Sequence, residues 1–346
     1  MDKSASSHLD LVNTSSQLDQ DNPTKFPFLC QPDCSVYDAK SPYNNRLNSS
    51  LVECLIEFKM GSDSDPFVQD VPGKSSTVDT VQNLFMNSSS SSHKTAGQTA
   101  YATWILSTQY RTHLFLILIF KKHARIIRWD RGGAVVTAPI SHSEIHILDF
   151  LMLFKDASPQ ARGRDITVEH ANKEDKAKAQ ELEELTNARS LLCLFIPDHS
   201  SPSCQPSRYI VESPCSRPDI PAGRWTQTSI AYDVERKKRV LLKDSWRVLL
   251  DDISPEGEIY SHLHSQSVPY IPHCYRAGDI SNELYHTSRT HEFNPEPGLP
   301  YHSPHLVPHR HYRLVLDTIG RPLETFSRSW ELVNTVYDAL RGEFPV

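Results

Sequence analysis

Apolar residues along the chain fall into short runs whose spacing switches between strand and helix periods. Ser50 to Lys59 (SLVECLIEFK) carries Leu51, Val52, Leu55, Ile56 and Phe58 and ends at a Gly-Ser-Asp turn, which predicts a buried strand. From Gly97 to Gln109 the spacing becomes helical, with Tyr101, Trp104, Ile105 and Tyr110 on one face. THLFLILIF, a basic turn at Lys121 to His123 and ARIIRWD then read as a hairpin, which GAVVTAP extends. Glu144 to Asp156 reads as an apolar-faced helix, and HANKEDKAKAQELEELTNARSLL as a polar one with Leu182, Leu185 and Ala188 at core spacing.

Three strand-like runs follow a Pro/Ser/Cys-rich stretch at Pro197 to Pro206: RYIVES, TQTSIAYDV and RVLLKDSW, with ERKK (Glu235 to Lys238) as the turn between the last two. A helix over residues 254–265, the strands IPHCYRAGD and HYRLVLD, and a closing helix SWELVNTVYDALRGEF complete the pattern. Residues 1–25 are rich in Ser, Asn and Asp without apolar periodicity and read as disordered; 72–94, with its serine run, reads as a low-complexity loop. These boundaries give an α+β domain over 26–196, a mixed sheet with flanking helices, and a second α+β unit over 207–346.

Composition narrows the function classes. Of 346 residues, 36 are Lys or Arg and 42 Asp or Glu, a formal charge of −6, so a basic clamp over the whole molecule is excluded. Mean hydropathy is −0.46. Proline (24) outnumbers glycine (12), which argues against many glycine-rich phosphate loops. Seven scattered cysteines form no disulfide framework. The N-terminus lacks the apolar core of a secretory signal, and the longest apolar run, Leu114 to Phe120, is far below the roughly 20 residues a membrane span needs. The expectation is an intracellular protein, cytoplasmic or nuclear, with no membrane partner. Cys30 and Cys34 lack a second ligand pair for zinc. The histidines from His286 to His311 read as a solvated Pro-rich loop, and Cys193, among leucines, as a core residue.

Two constellations carry candidate chemistry. Pro32-Asp33 precedes the strand bearing Glu57-Phe58-Lys59, and a helix with Gln98 and Tyr101 follows. Strand alternation puts Glu57 and Lys59 on one side. Two carboxylates holding a divalent metal beside a lysine is the arrangement of metal-dependent phosphodiester hydrolysis. The layout resembles the PD-(D/E)xK nucleases, a restriction-endonuclease-like fold; QTAY is one residue shorter than the usual spacing there. The resemblance implies Asp33 and Glu57 as metal ligands and Lys59 and Gln98 as catalytic groups. Lys121, Lys122, Arg125, Arg128 and Arg131 would then face a phosphate backbone, giving a nucleic-acid partner.

The second constellation lies downstream. Residues 208–318 run strand, loop, strand, hairpin, strand ending in lysine, helix with an early glutamate, strand, strand, short turn: the order of a protein-kinase small lobe. V-L-L-K (Val240 to Lys243) matches the V-A-I-K strand. Phosphoryl transfer needs the triphosphate charge neutralised, and a helical glutamate must hold the lysine that does so; Glu256 is preferred because Ile259 and Leu263 then fall on the core face beneath it. With RTHLFLILIF…ARIIRWDRGGAVVTAPI, GRWTQTSIAYD, VLLKDSWR, PEGEIYSHL and HYRLVLDTIGRPLETF, the chain from about Pro32 onward resembles the fungal-type protein kinases of mushroom-forming fungi. That resemblance implies ATP and Mg²⁺ as cofactors, Lys243 on the α/β-phosphates, Glu256 as its partner, Gly223 in the phosphate-covering loop, Val315 as gatekeeper and Leu316 to Thr318 as hinge, followed by an incomplete large lobe. The departures are specific. SPCSRPDIPAGRW holds one glycine where G-x-G-x-x-G is wanted, and neither HRD nor DFG occurs. The expectation is the ATP-binding half of a Ser/Thr-type kinase fold, from a truncated or degenerate member, with weak nucleotide binding and no phosphotransfer. A metal-dependent nuclease-like N-terminal domain and a non-catalytic interaction protein are the alternatives.

Overall fold

The computed structural model describes residues 8–19, 30–60, 65, 67, 89–143, 145–180, 191–196, 206–211, 220–280, 283–295 and 302–343. It is a mixed α+β structure with two sheets, dividing into two compact units. Unit one holds the described residues up to 166 with those of 218–225 and 287–309; unit two holds the rest.

In unit one, β1 (Leu9–Asn13), β2 (Cys34–Asp38), β3 (Val52–Lys59), β4 (His113–Phe120), β5 (His123–Asp130) and β6 (Gly133–Val136) lie in that order, and β7 (Ile140–Ser141) also pairs with β5. β2 and β3 are antiparallel, whereas β3 and β4 are parallel and are joined through α1 (Ser89–Thr108). A parallel pair needs such a crossover. It also explains why β4 reads as an unbroken apolar run. Leu114, Leu116, Leu118 and Phe120 pack with Ala102, Trp104, Ile105 and Leu106 of α1. On the other face Phe115, Ile117 and Ile119 pack with Phe150, Leu151 and Phe154 of α2 (His146–Asp156). A strand covered on both faces has no polar side to show.

Three expectations change. Leu9–Asn13, expected to be disordered, is a strand whose Leu9 and Val12 reach the two cores; the dense Ser and Asn around it hide a short apolar segment. The helix expected from Gly97 begins at Ser89, inside the stretch read as a loop, and ends at Thr108, leaving Tyr110 outside. The boundary expected near 196 falls at 166. β8 (Val168–His170) and β9 (Leu192–Ile196) join the second sheet, and the predicted polar helix is seen as α3 (Lys173–Gln180). Leu182, Leu185, Ala188 and most of 197–206 lie outside the described residues.

The sheet of unit two runs β13 (Cys274–Asp279), β14 (His309–Leu316), β12 (Lys238–Val248), β11 (Gln227–Asp233), β10 (Ser207–Val211), β9, β8. It is curled, since β13 approaches β9 and Arg313 on β14 reaches the carbonyl of Phe195 on β9 at 2.9 Å. On one face α4 (Glu256–Ser265) packs through Tyr260 on Leu241, Cys274, Ala277, Tyr312, Leu314 and Leu316. The other face is buried and partly polar: Trp246 stacks on His311 with centroids 4.8 Å apart, above Asp244 and Arg313. α5 (Ser329–Glu343) closes the described chain.

Candidate functional site

In unit two, β12 and the first residue of α4 bring the predicted pair together. Lys243 Nζ donates to both carboxylate oxygens of Glu256, at 2.8 and 2.7 Å. Each side chain is about one quarter exposed (24% and 23%), so the pair meets solvent and contributes little to stability. What it fixes is the position of an ammonium. The helix comes this close because residue 257 is glycine: its N–H donates to Tyr312 Oη at 2.9 Å, and a Cβ there would lie 2.3 Å from that of Ala277. Burial pushes the Tyr312 hydroxyl up to about 12, so it remains a neutral partner.

Several expected details differ. Ile259 is 47% exposed; the helix contacts its core through Gly257 and Tyr260, one turn of the opposite side. Val315 does not share a face with Lys243. Alternation puts it with Arg313 and His311, which stacks on Trp246, whereas Leu314 and Leu316 pack on the α4 face with Leu241. Leu316, the first residue of the expected hinge, thus packs on the α4 face with Leu241 and Leu314. Thr318 is exposed and donates to Asp317, which also accepts the His273 N–H at 2.9 Å. Gly223 groups with unit one, where its N–H donates to the Arg131 carbonyl at 2.7 Å, so that amide is already committed.

In unit one, the loop before β2 and the end of β3 bring Asp33, Glu57 and Lys59 together. Lys59 Nζ donates to Glu57 Oε1 at 2.6 Å. The Asp33 N–H donates to Glu57 Oε2 at 3.2 Å, and Asp33 Oδ2 accepts the Phe58 N–H at 2.7 Å. The two residues are thus tied to each other through one backbone N–H on each side. Tyr101 on α1 faces the same corner: burial, then the Glu57 charge, raises its hydroxyl, which donates to the Gln31 carbonyl. Burial, then Asp33 and Glu57, likewise raise the Cys34 thiol. Gln98 does not join them. It lines a small cavity with Trp129, Ile127, Ala134, Val136 and Phe67, and its Oε1 has no partner among the described residues.

The expected basic face is largely spent inside the fold. Arg125 bonds Asp65, Arg128 bonds Asp130, and Arg131 is fully buried beneath Trp225, 3.7 Å from its ring, leaving Lys121 and Lys122 exposed. Burial of Arg125 and Arg131 takes those two side chains out of the expected basic face.

Sequence reasoning missed the buried polar chain of unit two. His286 Nδ1 lies 2.9 Å from His311 Nδ1, His311 Nε2 lies 2.8 Å from Asp244 Oδ1, and Arg313 Nε donates to Asp244 Oδ2 at 2.7 Å. His286, His309 and His311 are all buried, so the solvated-loop reading fails for them. Polar residues alternating on HRHYRLVL were the available signal. No family model, no curated protein and no solved structure matches this chain.

Proposed function

We propose that unit two is a protein-kinase-type small lobe that holds nucleotide phosphates through Lys243. The observation that carries this is the two-oxygen clasp of Lys243 by Glu256, between the third strand of a meander and the helix after it. The strand order supports it: β10, β11 and β12 are followed in space by β14 and then β13, as an α4 crossover between β12 and β13 demands. An ammonium in that place neutralises α/β-phosphate charge. The fit to a nucleotide is partial. Lys243 is accessible, but Gly223 spends its amide on Arg131 and the sequence has no DFG to hold Mg²⁺. Nucleotide binding is accordingly weak, with Lys243 as its main contact. The test is an ATP titration: Lys243→Met should weaken binding about tenfold, roughly 1.4 kcal/mol. An unchanged affinity sinks the assignment.

A second reading rests on a different observation, the convergence of Asp33, Glu57 and Lys59 beside a parallel β3–α1–β4 crossover. We infer a divalent-cation site there, since hard oxygen donors suit Mg²⁺ or Mn²⁺. Glu57 now bonds Lys59, so a cation must displace that ammonium. Mn²⁺ titration followed by electron paramagnetic resonance should show one site lost in Glu57→Ala; no bound Mn²⁺ at millimolar concentration removes it.

A further inference from the structure

The tip of the β11–β12 hairpin collects cations out of proportion to the rest of the chain. Residues 235–239 read Glu-Arg-Lys-Lys-Arg in a protein of net charge −6. Arg276 of β13 joins them through its bond to Glu235 at 3.0 Å. Among the described residues the cluster holds five cations, Arg236, Lys237, Lys238, Arg239 and Arg276, and the carboxylates Asp233 and Glu235, with Arg239 and Arg276 making further interactions. Arg236 bonds Asp233 at 3.0 Å, but one carboxylate takes up only part of a guanidinium that offers five donors. Lys237, at φ 52°, stands exposed at the turn.

Tyr275 organises this charge. Lys238 Nζ lies 4.2 Å and the Arg236 guanidinium 4.7 Å from its ring centroid, so one ring steadies two like charges that repel each other. Lys238 Nζ also bonds the Tyr275 hydroxyl. The second observation lies beneath. Tyr209 is fully buried, and its hydroxyl has no hydrogen-bond partner among the described residues. Tyr209 pairs in register with Asp233 of β11, the carboxylate that Arg236 bonds, which sets it beside the base of the cluster; burial, then the Asp233 charge, raises its hydroxyl and keeps it neutral. Leaving a buried hydroxyl unmatched costs about 1–3 kcal/mol. Crowded cations and forked donors are both satisfied by one kind of ligand.

We propose that Arg236, Lys238, Tyr275 and Arg276 form a binding site for a phosphomonoester, free or carried on a peptide. Arginine forks and a lysine point charge match the three oxygens of that dianion better than a single carboxylate does. The site is separate from the Lys243 clasp: Lys238 and Lys243 are five residues apart on β12, so they project to opposite faces about 16 Å apart along the strand.

The test uses the full chain carrying Lys243→Met, which removes that clasp from the measurement. Calorimetric titration with inorganic phosphate, against chloride at matched ionic strength, should show saturable binding. Arg236→Gln with Lys238→Gln should weaken it at least tenfold. Arg276→Lys, which keeps the charge and loses the fork, should weaken it several-fold with an unchanged thermal midpoint. A phosphoserine peptide binding more tightly than inorganic phosphate identifies a protein source; equal affinity identifies a free phosphomonoester. No binding, binding matched by chloride, indifference to these substitutions, or an Asp-substituted peptide binding as tightly as the phosphopeptide each overturns the proposal.

Discussion

Gly257 donates its backbone N–H to the hydroxyl of Tyr312 at 2.9 Å, and a Cβ at 257 would sit 2.6 Å from that oxygen. The residue next to Glu256 thus sets how closely α4 approaches β13 and β14. Gly257→Ala is expected to push the helix outward, costing about 1–3 kcal/mol by overpacking and parting Glu256 from Lys243. Removing the other methyl, in Gly257→Ala with Ala277→Gly, relieves the 2.3 Å clash and should recover much of the loss. Thermal unfolding of the pair reads this; equal midpoints for glycine and alanine at 257 refute it.

Incubated with Mg·ATP, the protein is expected to transfer no phosphate to itself or to generic substrates. On the proposed reading Lys243 would steady ATP, but the sequence contains no HRD to accept a substrate proton and no DFG to hold the metal. Radiolabel incorporation that disappears in Lys243→Met contradicts this.

The Lys243–Glu256 pair was legible because its partners lie on neighbouring elements, thirteen residues apart in sequence. Strand alternation also put Glu57 and Lys59 on one side, and their 2.6 Å bond agrees. Which face Val315 takes was less legible, because a one-residue shift in a strand reverses the face; it lies on the face opposite Leu314 and Leu316. Arg125 and Arg131 looked like surface charge because their partners, Asp65 and Trp225, are 60 and 94 residues away. Nothing local in a sequence marks a long-range partner. The same holds for Asp244, which is 67 residues from His311 and 69 from Arg313.

Asp244 supplies a third expectation. Burial alone would raise its carboxyl, but His311 and Arg313 outweigh it and hold the group well below the usual carboxylate range. The folded value lies below the unfolded one near 3.9. Its stabilisation is therefore present at neutral pH and lost only as pH falls beneath about 4 toward the folded value. Asp244→Ala leaves Arg313 buried without its carboxylate and should cost about 3–5 kcal/mol. Asp244→Leu with Arg313→Met should cost less than Asp244→Ala alone. Urea midpoints decide this, and additive losses overturn the coupling.

His113 gives the expectation with the clearest pH window. It lies at the start of β4, where Gly163, at φ 98°, passes so close that a Cβ there would be 2.0 Å from the His113 carbonyl oxygen. The ring is buried, with Nε2 3.0 Å from the Ala161 carbonyl and Nδ1 3.0 Å from Thr112 Oγ1. A neutral ring with its proton on Nε2 serves both: Nε2–H donates to the carbonyl, and Nδ1 accepts from the hydroxyl. Burial, reinforced by the Arg128 charge, lowers its pKa to about 3. The unfolded chain takes up this proton near 6.5, so between about 6.5 and 3 the unfolded state binds more protons than the folded one. Stability must fall on acidification through that window, by about 1.4 kcal/mol per unit, or roughly 2 kcal/mol at pH 5. His113→Gln keeps an N–H for Ala161 and cannot titrate. Urea unfolding of both proteins at pH 7.5 and 5 should show the native chain losing about 2 kcal/mol more than the variant. The difference cancels every other histidine, so parallel losses in the two proteins would mean that His113 is protonated inside the fold.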